Sequence, residues 1–218
     1  MEGLTQADIV RTLADWGREP VHPRLERLGR QARTLARRLG KPEPEVVVQD
    51  RAVRLDAAPW PAFWAALVHV VRNAVDHGLE SGSERLLASK REAGKLWIGA
   101  ERDDDRIVIT VRDDGRGVDW EKVRAKALKL AMPAESEKDL LEALFSDGLS
   151  TRDEVSMTSG RGVGLSAVKQ AVLELGGKIE VDTLLGQGTT FRFTFEEHIV
   201  KNAQVPRHVS ASLMPAMS

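Results

Sequence analysis

The order in which predicted helices and strands follow one another limits the possible folds of this chain more than any other feature of its sequence. Strands and helices do not alternate one by one, as they do in a parallel, doubly wound sheet. The order therefore predicts an α+β fold, a two-layer α/β sandwich with a mixed, mainly antiparallel sheet. Hydrophobic periodicity and turn residues predict, in order, a helix within 5–40, a strand at 45–50, a helix at 60–77, strands at 96–100 and 106–112, helices at 120–130 and 138–144, a long loop at 145–159, a helix at 163–175, and a hairpin of strands at 178–183 and 189–195.

Composition along the chain divides it into three predicted parts. Residues 1–40 are a predicted helical lead, within which six arginines lie between Arg24 and Arg38. We expect this arginine-rich face to be solvated, as charge runs usually are, and a docking surface for a partner is the alternative. Residues 41–196 form the predicted domain, and residues 197–218, which lack periodicity, form a predicted C-terminal tail.

The overall composition excludes several kinds of function. The chain has 218 residues, 42% of them hydrophobic, which suits one ordinary domain with a sizeable core. The lack of Cys excludes disulfides, thiolate metal sites and Cys nucleophiles. Lys and Arg number 32 and Asp and Glu 33, so the net charge of -1 argues against nucleic-acid binding through bulk positive charge. Because no apolar run reaches about 18 residues and no signal peptide is recognisable, we expect a soluble, cytoplasmic protein without membrane insertion.

The predicted helix at 60–77 has two unlike faces. On a helical wheel at about 100° per residue, its apolar residues cover one side of the helix. A plain surface helix more often carries Lys and Glu on its other side, so the polar residues found there are candidates for a binding site. A purely structural or solvated role is the alternative for each of them. That polar side, spread over about 100°, gathers Asp76, His69, Asn73 and His77.

Two glycine-rich segments follow. Asp113, Gly115 and Gly117 come directly after a predicted strand, where a carboxylate can accept a hydrogen bond from an exocyclic amine and Gly permits close approach of a ligand; an acidic β-turn is the alternative. Residues 159–165 open a predicted helix, and backbone N–H groups at such a helix N-terminus attract phosphate. This second segment does not follow a strand and lacks a Gly-Lys-Ser/Thr ending, which excludes the Rossmann and P-loop patterns.

Together and in this order, these segments resemble the GHKL superfamily of ATP-binding proteins, and within it the catalytic domain of chemotaxis histidine kinases of the CheA type. The resemblance covers roughly residues 24–195 and implies the Bergerat ATP-binding fold, in which helices cover one face of the sheet. The matching motifs are residues 69–78, similar to the N box; 113–117, similar to the first glycine box; 145–151, similar to the segment that opens the ATP lid; 159–164, similar to the second glycine box; and 186–190, similar to the last glycine–threonine motif.

The resemblance implies ATP and Mg²⁺ as cofactors. Asn73 would coordinate Mg²⁺, with His69 and His77 beside the phosphates as the other catalytic residues. Asp113 would accept a hydrogen bond from the adenine amino group, which favours ATP over GTP, and Thr189 or Thr190 would support it. The nucleotide-binding set that the resemblance implies is Asn73, Asp76, His77, Asp113, Gly115, Gly117, Ser150, Thr151, Ser159, Gly160, Arg161, Gly162, Val163, Gly164, Leu165, Thr189 and Thr190.

The implied function is transfer of the ATP γ-phosphate to a histidine on a separate phosphotransfer domain, in cis or in trans. A response regulator downstream and receptor or coupling proteins are the further partners that the resemblance implies, and nucleic acid is not one of them. Members of the superfamily that hydrolyse ATP carry a Glu one helical turn before the Asn, where this chain has His69, which favours a kinase over a hydrolase. A regulatory nucleotide-binding module without phosphotransfer and a serine kinase like the anti-sigma factors remain as alternatives.

The chain also departs from a whole kinase of this type. No helical segment carries a recognisable phosphoacceptor motif, and we expect His22 to be a linker residue rather than the acceptor. We therefore expect either an excised catalytic domain or a naturally short kinase. Dimerisation would then depend on segments outside this sequence.

Overall fold

The computed structural model describes residues 17–146 and 164–197 and Val200. The predicted start of a helix at residue 5, most of the predicted loop at 145–159 and most of the predicted C-terminal tail lie outside these residues. Within them the elements are β1 Glu19–Pro20, α1 His22–Arg38, β2 Glu45–Asp50, β3 Arg54–Leu55, α2 Pro61–Asn73, a π-helical turn at Ala74–Gly78, α3 Gly82–Leu87, β4 Lys95–Asp103, β5 Arg106–Asp113, α4 Trp120–Lys129, α5 Glu137–Leu144, α6 Leu165–Glu174, β6 Lys178–Leu184 and β7 Gly188–Glu196.

The main sheet has five strands in the order β2-β4-β5-β7-β6. Strand β2 runs parallel to β4, and every other neighbouring pair is antiparallel. The predicted mixed, mainly antiparallel sheet is therefore confirmed. A second, two-stranded ribbon of β1 and β3 was not predicted, because two-residue strands are too short to show a period of two.

Helices α1, α2 and α6 cover one face of this sheet. Along β5, Ile107, Ile109 and Val111 alternate inward and are almost fully buried. The ring of Phe63 on α2 packs edge-on against two rings of β7, with centroids 5.6 Å from Phe193 and 5.0 Å from Phe195. Such pairs add about 1 kcal/mol each to the burial of the rings. The two-layer α/β sandwich is thus confirmed.

Helix α1 belongs to the same hydrophobic core. Its inward stripe is buried against α2 and the sheet, and a Cβ on Gly29 would lie 2.9 Å from Cγ1 of Val46, so the helix backbone lies directly on β2. Its outer face carries exposed arginines, as predicted, while the guanidinium of Arg24 lies over the ring of Trp64 at 5.8 Å. The division of the chain at residue 40 stays a prediction. The buried residues of α1 are Leu25, Leu28, Gly29, Ala32 and Ala36.

Helix α3 was missed by the sequence reading although its start signal is present. Ser81 accepts a hydrogen bond from the backbone N–H of Glu84, whose carboxylate in turn accepts from the backbone N–H of Ser81. This capping box is the Ser-x-x-Glu pattern of a helix N-terminus. Among the helices of residues 17–146 and 164–197, none combines the length and the apolarity needed to cross a lipid bilayer.

Candidate functional site

Helix α2 positions the first group of candidate residues. It begins at Pro61, where proline suits the first turn, and it buries the predicted apolar face, including Phe63, Leu67 and Val70. His69 and Asn73 lie one turn apart and are half-buried. The predicted contrast between an apolar and a polar face is present over the length of α2.

The chain after α2 departs from the regular α-helix that the helical wheel assumed for Asp76 and His77. The chain continues from Asn73 into a π-helical turn, Ala74–Gly78, and the backbone N–H of Leu79 donates to the carbonyl of Ala74 at 2.7 Å. A π turn holds more residues than an α turn, so a wheel of about 100° per residue misplaces the last two residues of the predicted face. Such turns are frequent at functional sites.

Lys41 holds the π-helical turn in place. Its Nζ donates hydrogen bonds to three carbonyl oxygens, those of Val75 at 2.9 Å, Asp76 at 2.7 Å and Leu79 at 2.6 Å. A cation at a helix C-terminus satisfies carbonyl groups that have no partner within the helix. Sequence reasoning missed Lys41, because it precedes these carbonyls by more than thirty residues.

The polar groups of α2 are available to a ligand. Burial lowers the pKa of His69 below its usual value, and the neighbouring Arg72 lowers it further, so the ring is neutral at pH 7. Within the described part of the chain, the side-chain amide of Asn73 has no hydrogen-bond partner. A neutral imidazole and an amide oxygen can therefore both act as acceptors or ligands here.

Asp113, the last residue of β5, is the most strongly perturbed carboxyl group of the site. It is 2% exposed, and the backbone N–H of Gly115 donates to its Oδ1 at 2.9 Å. Burial raises the pKa of Asp113 to about 6, the backbone N–H groups of Gly115 and Thr189 oppose this rise, and the nearby carboxylates of Asp114 and Glu80 add to it. The Asp113 carboxylate is thus shielded from water, and its orientation is fixed by the backbone N–H group of Gly115.

The end of the π-helical turn and the end of β5 lie against each other. The backbone N–H of Arg116 donates to the carbonyl oxygen of Gly78 at 2.8 Å. A Cβ on Gly78 would lie 3.1 Å from Oδ1 of Asp113, and a Cβ on Gly115 would lie 2.1 Å from the carbonyl oxygen of Gly78. No side chain fits at Gly115, so these glycines are what allows the turn that follows Asn73 to reach Asp113.

The hairpin of β6 and β7 supports the first glycine box from the other side. Gly117 has a φ of +75°, and a Cβ there would lie 2.5 Å from the carbonyl oxygen of Leu184. The hydroxyl of Thr183 accepts from the backbone N–H of Val118 at 2.8 Å and lies 3.0 Å from the carbonyl oxygen of Gly188. Sequence reasoning missed Thr183, whose role depends on strand register rather than on a local pattern.

The structure distinguishes the two threonines predicted to support Asp113. The backbone N–H of Thr189 bonds to the Asp113 carboxylate, and the Thr189 hydroxyl lies 3.2 Å from that of Thr183. Thr190 pairs with Arg112 and Asp182 in the register, which places it on the opposite face of the sheet from Asp113. Thr189 therefore contacts the carboxylate, and a role for Thr190 stays a prediction.

Only the end of the second glycine box can be described. Gly164 precedes α6, a Cβ there would meet nothing within 4 Å, and Leu165 is the first residue of the helix and packs against the core. Phe145, at the start of the predicted lid segment, is buried with its ring centroid 6.3 Å from that of Phe191. The other candidates of the two segments lie outside the described residues: Ser150, Thr151, Ser159, Gly160, Arg161, Gly162 and Val163.

A partly buried set of charges lies behind the first glycine box, and no role was predicted for any of its members. We call Glu80, Arg85, Lys90 and Asp114 the Arg85 network. Arg85, which is 1% exposed, donates to Glu80 Oε2 at 2.9 Å and to Asp114 Oδ2 at 2.8 Å. Lys90 Nζ donates to Glu80 Oε1 at 2.7 Å. The Ser-x-x-Glu signal that predicts α3 could have located Arg85, but not its partners.

Comparison with known proteins gives matches over most of the chain. The family described as histidine kinase-, DNA gyrase B-, and HSP90-like ATPase matches residues 64–199. A chemotaxis protein CheA of Halobacterium salinarum is 37% identical over 84% of this chain and 28% of its own length. A gliding motility regulatory protein of Myxococcus xanthus is 39% identical over 74% of this chain and 21% of its own length. The chain thus spans less than a third of the length of these relatives.

Solved structures show the same fold. The histidine kinase domain of a blue-light activated histidine kinase from Erythrobacter litoralis superposes with a TM-score of 0.50 at 19% identity. The superposition covers 86% of this chain and 67% of that one. At this identity the likeness concerns the arrangement of helices and strands alone.

Proposed function

The chain belongs to the histidine kinase-, DNA gyrase B- and HSP90-like ATPase family, and on that premise we propose that it is the ATP-binding catalytic domain of a chemotaxis-type histidine kinase. It transfers the γ-phosphate of ATP to a histidine on a separate phosphotransfer domain. The relative from Halobacterium salinarum is named a chemotaxis protein CheA, and the matched family is described as histidine kinase-, DNA gyrase B-, and HSP90-like ATPase.

The observation that carries the proposal is the environment of Asp113. A buried carboxylate held by the backbone N–H groups of Gly115 and Thr189 keeps a lone pair for an amine donor. Adenine presents an amino group at its 6-position and guanine presents an oxygen, so this acceptor selects ATP. A missing partner for such a desolvated group costs more than a hydrogen bond gains, which makes the selection strong.

The phosphate end of the proposed site lies along α2 and the π-helical turn. The amide oxygen of Asn73 suits Mg²⁺, a hard cation that prefers oxygen ligands. Among residues 17–146 and 164–197 there is no cluster of three His, Asp or Glu side chains that could hold a metal ion, so Asn73 would share the ion with the phosphates. A Mg²⁺ ion held by Asn73 would supply positive charge beside the phosphate oxygens during transfer. His69 and His77 flank Asn73 on the same segment.

The residue one turn before Asn73 supports a kinase rather than a hydrolase. His69 stands where the hydrolysing members carry the Glu that activates water, so the carboxylate that serves as their base is missing at this position. Phosphoryl transfer to a histidine depends mainly on positioning and charge neutralisation, which do not require that carboxylate.

The partners and location follow from the same proposal. The acceptor is a histidine phosphotransfer domain, in cis or in trans, and the phosphoryl group passes on to a response regulator. Receptor or coupling proteins control the kinase, and the chain works in the cytoplasm, where ATP is available.

The experiment combines the chain with radiolabelled ATP, Mg²⁺ and a phosphotransfer domain encoded by chemotaxis genes of the same organism. Asn73→Ala removes the proposed metal ligand and should abolish transfer, whereas Gln170→Ala, which removes an exposed amide on α6, should not. Transfer by Asn73→Ala at the rate of the parent chain would contradict the proposal. Treating the product with acid separates a histidine kinase from a serine kinase, because phosphohistidine is lost in acid and phosphoserine survives.

A further inference from the structure

All three donors of the Lys90 ammonium group are used, and two of them point at the first glycine box. Besides its bond to Glu80, Nζ donates to the carbonyl oxygens of Asp114 at 3.0 Å and Gly115 at 2.7 Å. Arg85 Nη1 approaches the same Asp114 oxygen at 3.3 Å. Two cations therefore converge on the peptide group that joins Asp114 to Gly115.

That peptide group also carries the N–H that holds Asp113. The carbonyl of Asp114 and the N–H of Gly115 belong to one planar unit and point in opposite directions. Fixing the oxygen therefore fixes the direction of the N–H, which donates to Asp113 Oδ1 at 2.9 Å. Lys90 and Arg85 thus act on the Asp113 carboxylate through a single rigid group.

The rest of the Arg85 network keeps these two cations in place. Arg85 Nε donates to the carbonyl oxygen of Arg91 at 2.7 Å, and Asp114 Oδ1 accepts from the backbone N–H of Lys95 at 2.8 Å. Every charged group thus has an opposite charge or a backbone partner. A buried set of charges is weak support for stability in itself, since desolvation offsets much of the attraction.

We propose that Lys90 and Arg85 are positioning residues for base selection, which hold the Asp114–Gly115 peptide so that the Asp113 carboxylate meets the amino group of adenine. This inference rests on the proposed function. The segment from Glu80 to Lys90, which follows the N box, would then contribute to the preference for ATP over GTP. In this proposal Lys90 and Arg85 act through the Asp114–Gly115 peptide and not by contacting the nucleotide.

The test replaces Lys90 by Met, which keeps the length of the side chain and removes the three donors. Affinities for ATP and for GTP are measured with Mg²⁺ by calorimetric titration or competition, on the whole chain. Loss of one well-aimed hydrogen bond should weaken ATP binding about tenfold while GTP binding changes less than about twofold. The control Lys178→Met removes an exposed lysine on β6 and the same charge, and should change neither affinity.

The ratio of the two affinities is insensitive to partial unfolding, because a smaller folded fraction lowers both apparent affinities by the same factor. A Lys90→Met chain whose preference for ATP equals that of the parent overturns the inference, and so does an equal loss for both nucleotides. If the parent chain itself binds no ATP, the proposed function fails instead. The two failures are thus distinguished by the parent measurement.

Discussion

The backbone N–H of Arg116 donates to the carbonyl oxygen of Gly78 at 2.8 Å, and this bond joins the two halves of the candidate site. Gly78 ends the π-helical turn that follows Asn73, and Arg116 lies within the glycine box that follows Asp113. The proposed phosphate-binding and base-binding groups therefore share one backbone contact. Their separation is set by the main chain rather than by side chains that could adopt other rotamers.

Gly115→Ala tests this contact. The new methyl group would lie 2.1 Å from the Gly78 carbonyl oxygen, so the two segments must move apart. We expect a loss of about 2 kcal/mol in the free energy of unfolding, together with loss of ATP binding. Urea denaturation and nucleotide titration measure the two effects. Gly17→Ala is the control, because a methyl group there would meet nothing within 4 Å.

Asp113→Asn should separate binding from stability. Asn replaces one of the two acceptor oxygens of the carboxylate by an NH₂ donor. This NH₂ group must face either the adenine amino group or the backbone N–H groups that now bond to Asp113, and all of these are donors, so ATP binding should fall sharply. Burial raises the pKa of Asp113 from 3.8 to about 6, so the folded state of the parent holds a proton more tightly than the unfolded state. The resulting stabilisation is present at low pH and is lost as pH rises through about 6.

The Asn side chain does not titrate, so the variant lacks this pH dependence. Relative to the parent, the Asp113→Asn chain should gain on the order of 1 kcal/mol in the free energy of unfolding between pH 5 and pH 8. Urea denaturation at the two pH values measures the difference. Parallel pH profiles for the two chains would contradict the assignment of the raised pKa to Asp113.

The preference for ATP over GTP should itself depend on pH. Above pH 6 the Asp113 carboxylate is ionised and only accepts, which suits the amino group of adenine, whereas below it the protonated group can donate to the guanine oxygen. The ratio of affinities should therefore rise with pH through about 6. Protonation of the phosphates affects both nucleotides alike and cancels in the ratio. The Asp113→Asn chain should show a flat ratio.

Lys41→Met tests the support of the π-helical turn. Three carbonyl oxygens, of Val75, Asp76 and Leu79, lose their charged donor. We expect a loss of about 2 kcal/mol in the free energy of unfolding and weaker binding of nucleotide, since Asn73 directly precedes this turn and His77 lies within it. Lys122→Met, at a position whose side chain is 79% exposed, should leave both quantities unchanged.

The sequence predicts those parts of the fold that depend on local pattern. The strand β5 could be predicted because Ile107, Ile109 and Val111 alternate, and the apolar face of α2 because its period is that of a helix. The π-helical turn could not, since a wheel assumes one pitch throughout. The succession of helices and strands along the chain predicts a mixed, mainly antiparallel sheet. It does not predict which residues of neighbouring strands pair.

The residues of the candidate site likewise fall into those that a local sequence pattern predicts and those that it does not. Asp113 and Asn73 stand out because a carboxylate beside glycines and an amide on a polar face are unusual locally. Lys90 and Thr183 do not, because each acts on a backbone group far along the chain, Gly115 for Lys90 and Val118 for Thr183. Contacts between residues so far apart in the chain produce no local sequence pattern from which they could be predicted.

The ion pairs of Glu197 bring distant parts of the described chain together. Glu197, just after β7, pairs with Arg18 near the start of the described residues, so these two positions lie at one corner of the sheet. That corner adjoins Arg106, the first residue of β5, whereas Asp113 is the last residue, about 23 Å away along the strand. The Arg18–Glu197 ion pair and the proposed base-binding carboxylate therefore stand at opposite ends of the central strand, and the whole height of the sheet separates them.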